Sequence, residues 1–237
     1  MAPNLHVAVL PLELHLEILS LLTINEQIQA EIAWYYWQDI LLTNGYLKKS
    51  RYTSNPKEGV EHLHILLNAA SGLICDGTNG IVQNYTIARE NKSPLKAPRS
   101  ISRIYALNGA KNSTPQYNIF ESSILDETVL SPDCHFDDIM FRYRVSVEGF
   151  GDCIYWGAEK LVASDTTIRR FVEDVARDVE GVLTSTSVTL WLSGRNLPQY
   201  TPGMKYSLDF GSHIPFGASH WGPMIFIRIH PNLRRGP

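Results

Sequence analysis

The side chains able to do chemistry are scattered along this 237-residue chain rather than gathered into motifs. It has no G-x-S-x-G nucleophile elbow, no phosphate-binding P-loop and no H-E-x-x-H zinc helix. Gly77-Thr78-Asn79-Gly80 is too short for a phosphate loop and lacks its lysine. His62 and His64 stand two apart, and such residues diverge on a helix; a strand would put them on one face, but no third ligand is near. Cys134-His135 and Cys153 hold the ingredients of a thiol site, yet adjacent strand residues face opposite ways. His135 with Asp137 and Asp138 reads as solvated loop. The last candidate is the Gly-, Pro- and aromatic-rich stretch 198–223, with His213, His220 and Trp221. It is either a binding loop or packing over a sheet edge. No catalytic set, metal site or cofactor is implied.

Composition bounds the class. Apolar residues make up 44% and charged residues 19%, enough to bury a core. A net charge of −3 and a pI of about 6.2 argue against nucleic-acid binding by the whole protein. No apolar run approaches the roughly 18–20 residues of a membrane span, so no membrane partner is expected. The start of the chain has no Lys or Arg before its first apolar stretch, and Glu13 and Glu17 interrupt it, so no signal peptide is expected. Cys75, Cys134 and Cys153 are odd in number and widely spaced, which fits a reducing, intracellular compartment, cytoplasmic or nuclear. Charge is blocked: 88–118 is basic, with Arg89, Lys92, Lys96, Arg99, Arg103 and Lys111, and 121–138 is acidic. With its prolines and polar residues, 89–138 reads as a polar linker. Ser93-Pro94 and Thr114-Pro115 fit proline-directed phosphorylation there.

LPLELHLEILSLL from Leu10 predicts a helix with Pro11 at its start, where a missing N–H costs nothing. Leu14, Ile18, Leu21 and Leu22 form one stripe, and Leu12, Leu16 and Leu19 widen it. Asn25 is placed to cap a second helix over about 26–43. Both helices are too apolar to stand alone. They are the start of an ordinary core or a docking module whose spare apolar face belongs to a partner.

On these residues the chain resembles an F-box, the motif that binds the Skp-type adaptor of cullin–RING ubiquitin ligases. Leu10, Pro11, Glu13, Leu14, Ile18, Leu19, Leu22 and Trp37 match the pattern. Glu26-Gln27 and Ala33-Trp34 depart from the Asp-Leu and Val-Cys usual in the family. The resemblance implies an F-box-like module over 8–45. Leu10, Pro11, Glu13, Leu14, Ile18, Leu19 and Leu22 would contact the adaptor, and Trp37 would hold the module together.

Residues 46–88 read as a helix over 58–72 followed by short strands at 73–75 and 81–87 around the Asp76-Gly77 and Asn79-Gly80 turn signals. From 139 the pattern is a hairpin: IMFRYRVSV alternates Phe141, Tyr143, Val145 and Val147 against Arg142, Arg144 and Ser146. The return strand carries a bulge at Gly157. Ser164 or Asp165 caps a helix with Ile168, Phe171, Val172, Val175 and Val179 inward, stopped by Gly181. SVTLWLSG and GPMIFIRIH complete the order as strands. This hairpin, helix, strand, strand order is similar to the ubiquitin-like β-grasp, although the chain ends Gly-Pro rather than in two glycines.

The fold class expected is therefore α+β, an F-box-like helical bundle followed by a β-grasp-like domain over 139–237. The resemblance implies a non-catalytic, substrate-recruiting adaptor of a Skp–cullin–F-box ligase. Its C-terminal domain would grip a protein partner through Arg142, Arg144, Tyr200, Phe216 and Trp221, with Tyr206 and Phe210 in support. The alternatives are an interaction module with no ligase link, or a small hydrolase or transferase using 198–223.

Overall fold

The structure, a computed structural model, describes residues 10–54, 62–67, 73–88, 116–135, 137–150, 155–212 and 223–231. The expected phosphorylation dipeptides, Cys153, His213, Phe216, His220 and Trp221 lie outside the described residues.

Among the described residues four short helices come first: α1 (Leu12–Ser20), α2 (Ile24–Ala33), α3 (Tyr35–Thr43) and α4 (Gly45–Lys49). Pro11 is the N-cap of α1. Thr23, not Asn25, caps α2. Its hydroxyl accepts from Glu26 N–H at 3.3 Å, and the Glu26 carboxylate accepts from Thr23 N–H at 2.9 Å, the reciprocal capping box. The single helix expected over 26–43 is broken at Trp34, whose backbone is extended. Leu19, Ala30, Ile40, Leu41 and Leu47 are buried as the module's own small core, with Leu16, Leu22, Tyr36 and Trp37 packed against it.

The helix expected at 58–72 is absent from its described part. Residues 62–67 pass through isolated bridges, Tyr52 to His64 and Leu63 to Leu130, into a tight turn at Ile65–Leu67. Distant carbonyls take the hydrogen bonds a helix would use: His64 N–H donates to Val129 O at 2.9 Å and Ile65 N–H to Arg51 O at 2.8 Å. Apolar spacing alone did not separate these outcomes, because Leu63, Leu66 and Leu67 are fully buried either way.

A seven-stranded sheet follows: β1 (Leu73–Thr78), β2 (Ile81–Ala88), β3 (Gln116–Asn118), β4 (Asp138–Val147), β5 (Tyr155–Ala163), β6 (Lys205–Ser212) and β7 (Pro223–His230). Its order is β3-β2-β1-β6-β7-β4-β5. All neighbours are antiparallel except β4 with β7. Asn79 (φ 51°) and Gly80 (φ 73°) make the left-handed pair that a two-residue hairpin turn needs. The expected bulge in β5 lies at Ala158, which takes φ 47° beside Gly157.

Between the hairpins run α5 (Ile168–Thr184) and α6 (Thr186–Gly194). Ile168, Phe171, Val172, Val175 and Val179 are buried as expected. Phe171 packs in tilted contact with Phe141 at 4.6 Å and with Phe210 at 5.7 Å between ring centres. Three local expectations are corrected. Thr167 caps α5, its hydroxyl accepting from Arg170 N–H. The helix runs through the exposed Gly181 to Thr184, because Leu183, the next residue of the buried stripe, lies beyond it. The strand expected in SVTLWLSG is helix α6, capped by Ser185, with Val188 and Leu192 buried one turn apart. The partner strand of β7 is instead β6, taken from within the stretch read as an insert.

The chain is thus mixed α+β. Residues 116–135 are not linker: β3 pairs with β2, and Ile119, Ile124, Leu125, Val129 and Leu130 are buried. The sheet also crosses the boundary drawn at 139, since β1 pairs with β6, and one core cluster includes Ile24, Leu73, Phe141 and Ile229.

Candidate interaction sites

Helix α1 buries only His15 and Leu19, one turn apart. Leu10, Leu12, Leu14 and Leu21 are exposed at 36%, 50%, 43% and 79%. Pro11 and Glu13 are exposed, and Ile18 and Leu22 are half-buried. Ile32 and Tyr35 add apolar surface on α2 and α3. Of the seven residues expected to meet an adaptor, Leu19 is corrected to a place in the module's core. The other six keep some surface. Trp37 packs within the module: its indole N–H donates to His15 Nδ1 at 3.1 Å, in a cluster with Trp34 and Tyr36.

Buried charge ties this module to the sheet domain. Arg51, 1% exposed, donates to the Glu127 carboxylate, to Gln27 Oε1 at 3.0 Å and to Leu41 O at 3.1 Å. His64 Nδ1 accepts from Leu66 N–H at 3.2 Å, so the proton sits on Nε2 and is donated to Glu127 at 3.1 Å. Burial lowers the His64 pKa, against the pull of Glu127. A second tie is Glu31, which accepts from Ser122 Oγ at 2.6 Å and Ser123 N–H at 2.8 Å. Sequence reading missed both ties, which join residues 76 and 91 positions apart.

The sheet face opposite α5 is polar. Register sets Asn84, Asp76, Ser207 and Arg228 in one cross-strand row. A second row holds Ile74, Asp209, Phe226 and Arg144. Arg144, expected at the surface, is 2% exposed and lies over the Phe226 ring at 5.3 Å. Asp209 is buried beside Arg228 at 3.5 Å, and desolvation pushes its pKa up to about 6. Glu148, His230 and Ser207 form a chain, with His230 Nδ1 2.7 Å from Glu148 and Nε2 3.0 Å from Ser207. This connectivity is that of a carboxylate, base and nucleophile. Ser207, however, is 4% exposed in mid-strand, so the chain fixes His230 rather than presenting a hydroxyl.

Of the other expected partner contacts, Arg142 is exposed and paired with Glu159 at 3.2 Å. Beside it Met140 and Leu161, cross-strand partners, are both exposed. Tyr200, Tyr206 and Phe210 are corrected to buried positions in the main core. Burial also raises the Cys75 thiol pKa, and Cys134 is half-buried. Among the described residues no three His, Cys, Asp or Glu side chains converge as metal ligands, and no helix is long and apolar enough to cross a membrane. Set against known protein families, curated proteins and solved structures, the chain matches none of them.

Proposed function

We propose that this chain is a non-catalytic, substrate-recruiting adaptor of a Skp–cullin–F-box ubiquitin ligase, working in the cytoplasm or nucleus. The observation that carries the reading is the surplus apolar surface of α1 and its two ends, where Leu12 and Leu14 on the helix, and Leu10 and Leu21 flanking it, remain exposed beside the packed His15 and Leu19. Exposed apolar groups gathered on one element mark an interaction surface. The finer fold reading, a β-grasp-like domain, is supported by the β4–β5 hairpin, α5 and the β6–β7 hairpin, with β7 parallel to β4. Two additions extend that pattern: β1 to β3 on the β6 side, and α6. The outer face of the β4–β5 hairpin, at Met140, Arg142 and Leu161, supplies the protein contact. The test is capture of a purified Skp-type adaptor by the full chain. Leu14→Glu, at an exposed position, abolishes capture while the melting transition stays in place. Capture by that variant at wild-type strength, or none by the wild type, refutes the reading.

A further inference from the structure

A cleft of about 310 Å³ opens on the polar sheet face between β1, β2 and β6, with Asp76, Asn84, Lys205 and His230 in its lining. This volume is at the lower end of small-molecule sites. Asp76 and Asn84 are directly opposed across the β1–β2 pair. Opposed residues on one sheet face have Cβ atoms only about 4.5–5.5 Å apart, so both side chains can reach one donor group. The Asn84 Oδ1 atom is buried and accepts no hydrogen bond. Among the described residues the Asp76 carboxylate and the Lys205 ammonium make no hydrogen bond, and each feels the other's charge across the cleft, with His230 adding to the pull on Asp76. His230 is different: both its nitrogens are engaged, by Glu148 and Ser207, so it is a fixed wall.

The cleft is thus lined by two acceptors on paired strands, Asp76 and the unpartnered Asn84 oxygen, and by one donor, Lys205. A primary ammonium carries several N–H donors in a small volume and matches the two acceptors. The donor on Lys205 asks for an oxygen close by. A lysine side-chain ammonium, on its alkyl stem, brings no such oxygen; an α-ammonium always does, on the next carbon but one. We propose that this cleft binds an α-amino group together with its neighbouring carbonyl or carboxylate oxygen, the ammonium on Asp76 and Asn84 and the oxygen on Lys205. The source is a free amino acid or the first residue of a polypeptide. The site is independent of the proposed adaptor capture, since it shares no residue with α1.

Titration calorimetry on the full chain tests this with the common free amino acids and with short peptides bearing a free or an acetylated N-terminus. Free-amine ligands bind, and acetylation weakens binding at least about tenfold, because a charge-assisted hydrogen bond is lost. Asp76→Asn weakens binding by a similar factor. Lys205→Met weakens free amino acids more than peptides, since only the former offer a full carboxylate. Preference for amino acids over peptides names the small-molecule source, and the reverse names the polypeptide; either supports the site. Equal binding of free and acetylated peptides, an unaffected Asp76→Asn variant, or no binding at millimolar ligand overturns it.

Discussion

At the scale of single residues, burial of charge sets how stability responds to pH. The Asp209 pKa is raised to about 6, chiefly by desolvation, so the ionised carboxylate is disfavoured in the fold. Its stabilising contribution is complete below the unfolded value near 4, and it is lost as pH rises through about 6. Asp209→Asn should therefore be more stable than wild type at pH 8, by about 1–3 kcal/mol, with the gap closing toward pH 4. Urea denaturation at both pH values checks it; a less stable variant at pH 8 would mean that Arg228 outweighs desolvation. His64 acts with the opposite sign. Its pKa is lowered, so its contribution is complete above its ordinary value and falls away as pH drops below it. Where His64 meets Glu127 and Arg51, removing one partner strands a buried charge. Arg51→Met alone should cost about 3–5 kcal/mol, and the Arg51→Met, Glu127→Gln pair less than the sum of the two single changes. A double-mutant cycle of denaturant melts measures this.

At the scale of elements, what was legible in the sequence was whatever local chemistry decides. The β1–β2 turn at Asn79-Gly80, the alternation of β4 and the buried stripe of α5 all depend on near neighbours, and each is in the fold. Elements decided by distant partners were misread: 62–67 takes its hydrogen bonds from Arg51 and Val129, and β6 was hidden in an apparent insert. The candidate sites divide the same way. The surplus of leucines on α1 could be read directly, whereas Asp76, Asn84 and Lys205 share a cleft only because β6 pairs with β1. Helix α6 is the instructive error, because an apolar, β-branched run of this length suits a strand or a buried helix. The two assignments differ at Leu190. On a strand Val188, Leu190 and Leu192 share a face; on the helix Leu190 is 67% exposed while Val188 and Leu192 are buried. Leu192→Ala should therefore cost about 2–5 kcal/mol and Leu190→Ala less than about 0.5 kcal/mol, by chemical denaturation. Equal losses would restore the strand.

At the scale of the whole molecule, the question is what folds as a unit. The fragment 136–237 holds a hairpin, the two helices α5 and α6 and a second hairpin, and sequence pattern alone favours its folding by itself. The sheet argues otherwise. Without β1, strand β6 loses the hydrogen-bonding partner that spans Ile74 to Gly77 and becomes an open edge. Cys75, Tyr85 and Ile87 leave the core with the β1–β2 hairpin, and Leu63, Leu66 and Leu67 leave with the segment before it. Removing several fully buried apolar side chains, each worth about 1.5–3 kcal/mol, takes away an amount comparable with the 5–15 kcal/mol by which domains are stable. The fragment 136–237 should then show no cooperative melt and should aggregate through β6, while the full chain melts in one transition seen alike by near- and far-ultraviolet circular dichroism. The buried ties of Arg51 and Glu31 extend the argument to the helical module, which should melt with the sheet rather than before it. A separate early loss of helix signal, or a cooperative melt of the fragment, would show that the boundary near 139 is real. The coupling bears on the proposed role, because an adaptor that melts as one body holds its two surfaces at a fixed separation and orientation.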